Sequence, residues 1–275
     1  MKYKLLILLV MAFIFLTSQI FGITVLFSYF KEQEWQPLPK VFGVGIERPP
    51  ITKYNWLIFL FFVFISIIIF LLLMKLFLIW LIRVWFFLAI FISIWLALAN
   101  FFPALIAIAI AMILSLTKIF RLNLILHNLA EFLIYPGLAA IFAPILTIET
   151  ASLLLIALSI YDIISVLKTK HMIKMAQFQT KHLVFLGLVV PYLENKKPAV
   201  ALLGGGDVAL PLIFAGTAIP EIGTKVLFIS IFATLALILL MIFGKKKKFY
   251  PALPVLSAGC FIGYTIAKLL FLPLA

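Results

Sequence analysis

Charge is scarce in this chain. Only 11% of its 275 residues are Asp, Glu, Lys or Arg, where an average soluble domain carries about a quarter. Acid is scarcer still, with nine Asp and Glu against 22 Lys and Arg. One cysteine, Cys260, excludes a disulfide framework and a thiolate metal cage, and is best read as a small buried hydrophobe. The three histidines, His127, His171 and His182, form no His-x-x-x-His pair, which disfavours a zinc protease of that kind. No Gly-x-Ser-x-Gly elbow occurs, and no serine stands in a glycine setting fit for a Ser–His dyad. The net charge of +13 does not signal nucleic acid, because the basic residues lie in short clusters between apolar runs. Such clusters set membrane topology and touch anionic lipid.

Apolar residues are what the chain has. At 66% hydrophobic and a mean hydropathy of +1.30, it exceeds what one soluble core could bury, so it reads as an all-α, polytopic membrane protein. Nine spans are expected, at about 5–30, 56–74, 84–100, 102–117, 132–148, 151–167, 205–222, 226–243 and 251–272. The first is too long for a signal-peptide core and lacks a clear cleavage pattern, so it reads as an uncleaved helix. Between it and the second span, Pro37, Pro39, Pro49 and Pro50 forbid a continuous helix. Lys118 to Glu131, with its asparagines and His127, reads as a loop or surface helix, and His171 and His182 as loop residues. Pro136 and Pro144 weaken the fifth span. With the N-terminus in the cytoplasm, sixteen Lys and Arg fall inside and six outside, as the positive-inside rule asks. The C-terminus then lies outside, and the Lys245–Lys248 run is an inner topology anchor touching anionic lipid. The organisation is one membrane domain over 1–275: helices at about 5–167, a cytoplasmic loop at 168–203, and helices at about 205–272.

Aspartate is the most informative residue. The chain holds two, Asp162 and Asp207, and neither sits in a polar loop. A carboxylate at membrane depth costs a few kcal/mol on insertion scales, and is functional by default. Asp162 precedes Lys168 by six residues, or about 9 Å of helix; Asp207 follows the same cytoplasmic loop. Neighbouring antiparallel helices would bring them face to face. Two facing carboxylates cannot readily both ionise, so the pair holds one proton between them. One member can then activate water while the protonated partner polarises a carbonyl. That chemistry needs neither metal nor cofactor. Each Asp could equally cap a helix or pair with a lysine, or the two could relay ions in a transporter or cation channel. Spacing alone does not separate these readings, nor does it exclude a catalytically silent binder of transmembrane helices.

The flanking residues add to this. Gly204, Gly205 and Gly206 precede Asp207 and leave room for an extended peptide beside the acid, or form a hinge at a helix start. Pro251-Ala252-Leu253-Pro254 opens the last span with irregular backbone, tolerated at membrane depth only where protein or a water-filled cavity lines it. The stretch Val200 to Leu203, including Leu202 and Leu203, is strand-capable and could pair with an extended substrate.

Three short motifs stand in order: Tyr161-Asp162 in the sixth span, Gly204-Gly205-Gly206-Asp207 at the seventh, and Pro251-Ala252-Leu253 at the ninth. Together they resemble the presenilin and signal peptide peptidase family of Gly-x-Gly-Asp intramembrane aspartyl proteases, with the run from Tyr161 to Met172 most like its archaeal members. The resemblance covers roughly Leu153 to Ala267. It implies a presenilin-like fold and cleavage of transmembrane helices or signal-peptide-like segments of single-span substrates. By likeness Asp162 and Asp207 are the catalytic pair and Tyr161 supports them. Gly204 and Gly206 shape the approach, while Pro251, Ala252 and Leu253 line the site. It also implies an inward N-terminus, as in presenilins, and activity without an obligate partner subunit, as in signal peptide peptidases. Two departures stand out: the loop between helices six and seven is short beside that of animal presenilins, and Gly205 replaces the usual leucine.

Overall fold

The computed structural model describes residues 2–41, 44–45, 48, 50, 52–120, 123–169, 171–181, 185–194, 197–244 and 250–270. Arg121, Lys170, His182, Lys196 and the Lys245–Lys248 anchor lie outside them, as does the side chain of His171.

Among the described residues there are ten α-helices and three two-stranded hairpins, two between the first and second helices and one before the eighth. The chain runs α1 (Lys2–Tyr29), β1 (Phe30–Lys31), β2 (Glu34–Trp35), β3 (Lys40–Val41), β4 (Val44–Gly45), α2 (Asn55–Lys75), α3 (Ile79–Leu98), α4 (Ala104–Phe120) and α5 (Leu124–Phe142). It continues with α6 (Ile148–Ile163), α7 (His171–Lys181), β5 (Gly187–Glu194), β6 (Lys197–Gly204), α8 (Gly205–Ile222), α9 (Leu227–Phe243) and α10 (Leu253–Leu269). Setting aside α7, nine helices correspond one for one to the expected spans. Five are long and apolar enough to cross a bilayer singly, and a sixth apolar stretch, Gly205–Phe243, divides into α8 and α9. That division falls at Gly223, whose φ of 57° places it in the left-handed region where glycine ends helices without strain. The 17-residue helices α4 and α10 reach about 25 Å each. Large apolar side chains such as Phe61, Phe62, Ile68 and Trp80 face outward, as lipid contact requires. The protein is a multi-pass membrane protein.

Several boundaries differ from expectation, each for a local reason. Asn123 accepts hydrogen bonds from the N–H groups of Ile125 and Leu126 at 3.0 and 3.1 Å. This N-cap starts α5 at Leu124 rather than near Phe132. The described part of the stretch Lys118 to Glu131 is therefore mostly helical rather than a loop. Lys118 lies in the last turn of α4, His127 and Glu131 lie on α5, and Lys118 and Glu131 are buried together. Hydropathy misplaced them because it treats each polar residue as unpartnered. Helix α5 also continues through Pro136, and only Pro144 enters a separate 3-10 turn. Helix α3 begins at Ile79, so Arg83 lies within it rather than before it. Helix α10 ends at Leu269, short of 272. The loop after α6 contains the amphipathic α7, whose Met175 packs on Phe70 and Ile82 at the ends of α2 and α3, and the β5–β6 hairpin.

The core is built around α1, which packs against α5, α8 and α9 and buries Phe15, Leu26 and Tyr29. Close approach does much of the packing. A Cβ on Gly137 of α5 would lie 1.8 Å from the Ser93 carbonyl oxygen of α3. On α10, Gly259 and Gly263, four residues apart, press onto the backbone of α9, the small-residue spacing that lets membrane helices touch.

Candidate active site

Asp162 sits in the last turn of α6 and is buried. Its Oδ2 accepts a hydrogen bond from the N–H of Leu253 at 3.3 Å, and the N–H of Ala252 also bears on this carboxyl. These are the cap and first residues of α10, whose N–H groups have no partner within their own helix and whose dipole end is positive. The Pro-Ala-Leu element therefore serves as a pair of donors aimed at Asp162. Sequence reasoning looked there for free backbone and missed the N–H groups. One turn earlier, the buried hydroxyls of Ser159 on α6 and Ser257 on α10 meet at 3.0 Å, a second tie that carries no sequence signal. Just beyond Asp162, Ile164–Lys168 widens into a π-turn, a feature frequent at functional sites. There Ser165 Oγ donates to the Asp162 carbonyl at 3.1 Å.

Asp207 is the third residue of α8, with Gly204 as the helix cap. Its carboxyl reaches back to the Gly204 N–H, half of a capping box. Gly204 has ordinary extended angles, φ −61° and ψ 144°, so backbone strain does not call for glycine. Proximity does: a Cβ there would lie 3.1 Å from Asp207 Oδ2. The Gly205 N–H donates to the Leu186 carbonyl at 3.1 Å. Gly206 faces open space, with nothing within 4 Å of an added Cβ. From α1, buried Gln19 donates to the Val208 carbonyl at 2.8 Å and pins the turn after the acid. Helices α6, α8 and α10 pack mutually, close enough for the Asp162 carboxyl to bear electrostatically on Asp207.

The remaining expected residues are placed as follows. Tyr161 turns toward α2, its ring edge-on to Phe64 at a centroid distance of 5.1 Å. Strand β6 pairs antiparallel with β5, Gly187 opposite Gly204, Leu188 opposite Leu203 and Val189 opposite Leu202. Val200–Leu203 is thus a strand, but one edge is already taken by β5. Leu203 is buried in the core, whereas Leu202 is exposed. The stretch Leu183 to Val190 is too short to span, and of its described residues, 185–190, those from Gly187 onward are in β5.

The site so assembled can be set beside known proteins. The family model for signal-peptide peptidase, presenilin aspartyl protease matches residues 43–272. Two solved structures of a presenilin family intramembrane aspartate protease, in C222 and P2 space groups, share the fold. The first has a TM-score of 0.68 at 22% identity, covering 96% of this chain and 99% of that one. The second has a TM-score of 0.66 at 22% identity, with coverage of 94% and 96%. No curated protein sequence matches. With residues 43–272 matched by the family model, most of its length, this chain belongs to the signal-peptide peptidase and presenilin family and is an intramembrane aspartyl protease.

Proposed function

We propose that Asp162 and Asp207 are the catalytic pair and that the whole chain acts as one membrane-embedded endopeptidase domain. The observation that carries this reading is that the chain's only two aspartates lie on helices that pack together, Asp162 held by N–H groups opening α10 and Asp207 by the N–H that caps its own helix α8. The pair shares one proton. The ionised member takes a proton from water, whose oxygen attacks the peptide carbonyl carbon, while the protonated member gives its proton to the carbonyl oxygen. Collapse of the resulting diol breaks the C–N bond, and the pair returns a proton to the leaving amine. The ion-relay alternative is not favoured, since the chain belongs to a protease family. Incubation of the purified protein with a single-span substrate yields discrete fragments. Ion flux in liposomes with no fragments would reverse the choice.

Substrates are transmembrane or signal-peptide-like helices with an external N-terminus and a cytoplasmic C-terminus. This follows from an N-terminus and α6–α8 segment on the cytoplasmic side, the orientation the basic residues favour. Anionic lipid contacts the inner basic clusters, and no obligate partner subunit is required. Tyr161 supports Asp162 from the α2 side, and Pro251 fixes the approach to the Ala252 and Leu253 donors.

The unwound peptide docks on β6. Strand alternation gives Leu203 its bonds to β5 and leaves Leu202 facing away from the hairpin. Leu202→Pro removes one outward N–H and leaves the β5–β6 bonds in place. It should lower kcat/KM by 30-fold or more with the unfolding midpoint unchanged; cleavage at wild-type efficiency rejects the docking edge. The glycines make opposite predictions. Gly204→Ala crowds the Asp207 carboxyl and should reduce kcat by about tenfold. Gly206→Ala meets nothing in the folded protein and should raise stability by about 0.5 kcal/mol. It also fills space beside the acid, so KM rises severalfold, as substrate titrations would show.

A further inference from the structure

The outer edge of β5 is closed by side chains. Asn128 Nδ2 donates to the Val189 carbonyl at 2.8 Å, and the Val189 N–H donates back to Asn128 Oδ1 at 3.0 Å. One side-chain amide thus makes both bonds that a neighbouring strand would make. One step along the same edge, His127 Nε2 meets the Gly187 carbonyl at 2.9 Å. A carbonyl only accepts, so Nε2 carries the hydrogen and Nδ1 is left as an acceptor. Lys118 Nζ fills that position at 3.2 Å. It also donates to the Phe185 carbonyl at 3.4 Å and to Glu131 Oε1. All three ammonium hydrogens are therefore engaged, at a residue only 6% exposed.

A buried ion pair is weak evidence for stability, since desolvation offsets its attraction. Its placement here says more. The clamp grips β5 at Gly187 and Val189, alternate residues that face away from β6, and the lead-in to the strand at Phe185. Gly187 lies opposite Gly204, the cap of the helix that carries Asp207. One turn beyond Glu131, the Tyr135 ring lies 3.4 Å from where a Cβ of Gly205 would stand. The start of α5 thus serves as the template on which the hairpin and the glycine turn are laid.

We propose that Asn128, His127 and Lys118 are positioning residues that fix the height of β6, and so determine which substrate peptide bond is presented to the aspartate pair. The proposal rests on the protease reading and on docking at β6. Its consequence is that loosening the clamp alters where the substrate is cut, as well as how fast.

The test uses the full-length protein with a single-span substrate and mass spectrometry of the fragments. Asn128→Leu removes both bonds to Val189. It should lower kcat about tenfold and spread cleavage onto neighbouring peptide bonds. His127→Leu should do the same, and His127→Gln, which keeps a donor near the Nε2 position, should restore the wild-type fragment pattern. A merely structural role would reduce the yield of folded protein and leave the fragment masses unchanged; that result overturns the proposal. Amide hydrogen exchange over Gly187–Val208 gives a readout without catalysis. Faster exchange in Asn128→Leu, by about tenfold at Leu188 and Leu203, supports the clamp even if the wild-type protein cuts nothing, an outcome that would overturn the protease reading alone. Unchanged exchange, with unchanged fragments from an active protein, overturns the clamp alone.

Discussion

Asp162→Asn and Asp207→Asn each reduce cleavage by on the order of 10⁴-fold, close to background, while the protein still folds. Residues that act as one catalytic unit lose nearly everything when either member is removed, so the double variant should be no slower than the singles. Folding survives because asparagine keeps the shape and can still accept at Oδ1. The Leu253 N–H, 3.3 Å from Asp162 Oδ2, retains its acceptor, as does the Gly204 N–H that Asp207 meets. Removing a carboxyl held in apolar surroundings near a second one also relieves desolvation and like-charge repulsion, so unfolding midpoints hold or rise. Alanine separates the two sites further. Asp207→Ala loses the contact that caps α8 and should be less stable than Asp207→Asn by roughly 1 kcal/mol. Gel analysis of fragments and tryptophan-monitored unfolding measure both effects. More than 1% residual cleavage in either asparagine variant would sink the assignment of the pair.

Gly137→Val carries the largest expected loss of stability. The Cβ of any replacement would lie 1.8 Å from the Ser93 carbonyl oxygen and 2.8 Å from Ser93 Cα. Both are backbone atoms of α3, so no rotamer change relieves the overlap and the two helices must part. Overpacking of this kind costs about 1–3 kcal/mol, occasionally more. Gly137→Ala should fall within that range and Gly137→Val above it, enough to remove most folded protein from a membrane preparation. The damage should reach catalysis too. Helix α5 carries His127, Asn128 and Tyr135, which bear on β5 and on the glycine turn, so what remains folded should cut slowly. Denaturant titration in detergent checks the first claim. A midpoint for Gly137→Ala equal to wild type would show that α3 and α5 are not in backbone contact.

The two predictions draw on different information. The two aspartates proposed as the catalytic pair were conspicuous in the chain because a carboxylate in an apolar run stands out, and there are two of them. The contact between Gly137 and Ser93 was not legible, because a glycine in an apolar helix looks the same whether it faces lipid or another backbone. Lys118, His127 and Glu131 were misread for a related reason. Window hydropathy adds residues along the chain, whereas a buried polar group is stabilised by partners in space. Here those partners are the Phe185 and Gly187 carbonyls, far along the sequence. The role of Pro251-Ala252-Leu253 shows the same limit. Two prolines announce broken backbone, but only the crossing of α6 and α10 reveals that the N–H of Leu253 meets Asp162.

Composition and the order of short motifs were sufficient to determine that this is a multi-pass membrane protein with its two aspartates in apolar runs. Both follow from the energetic penalty for polar groups in hydrocarbon, which acts residue by residue. Tertiary structure alone decided what holds the two acids in place, which hairpin edge stays open, and which glycines the packing cannot spare. Each of these depends on distances between segments remote in sequence, and no reading along one dimension contains them.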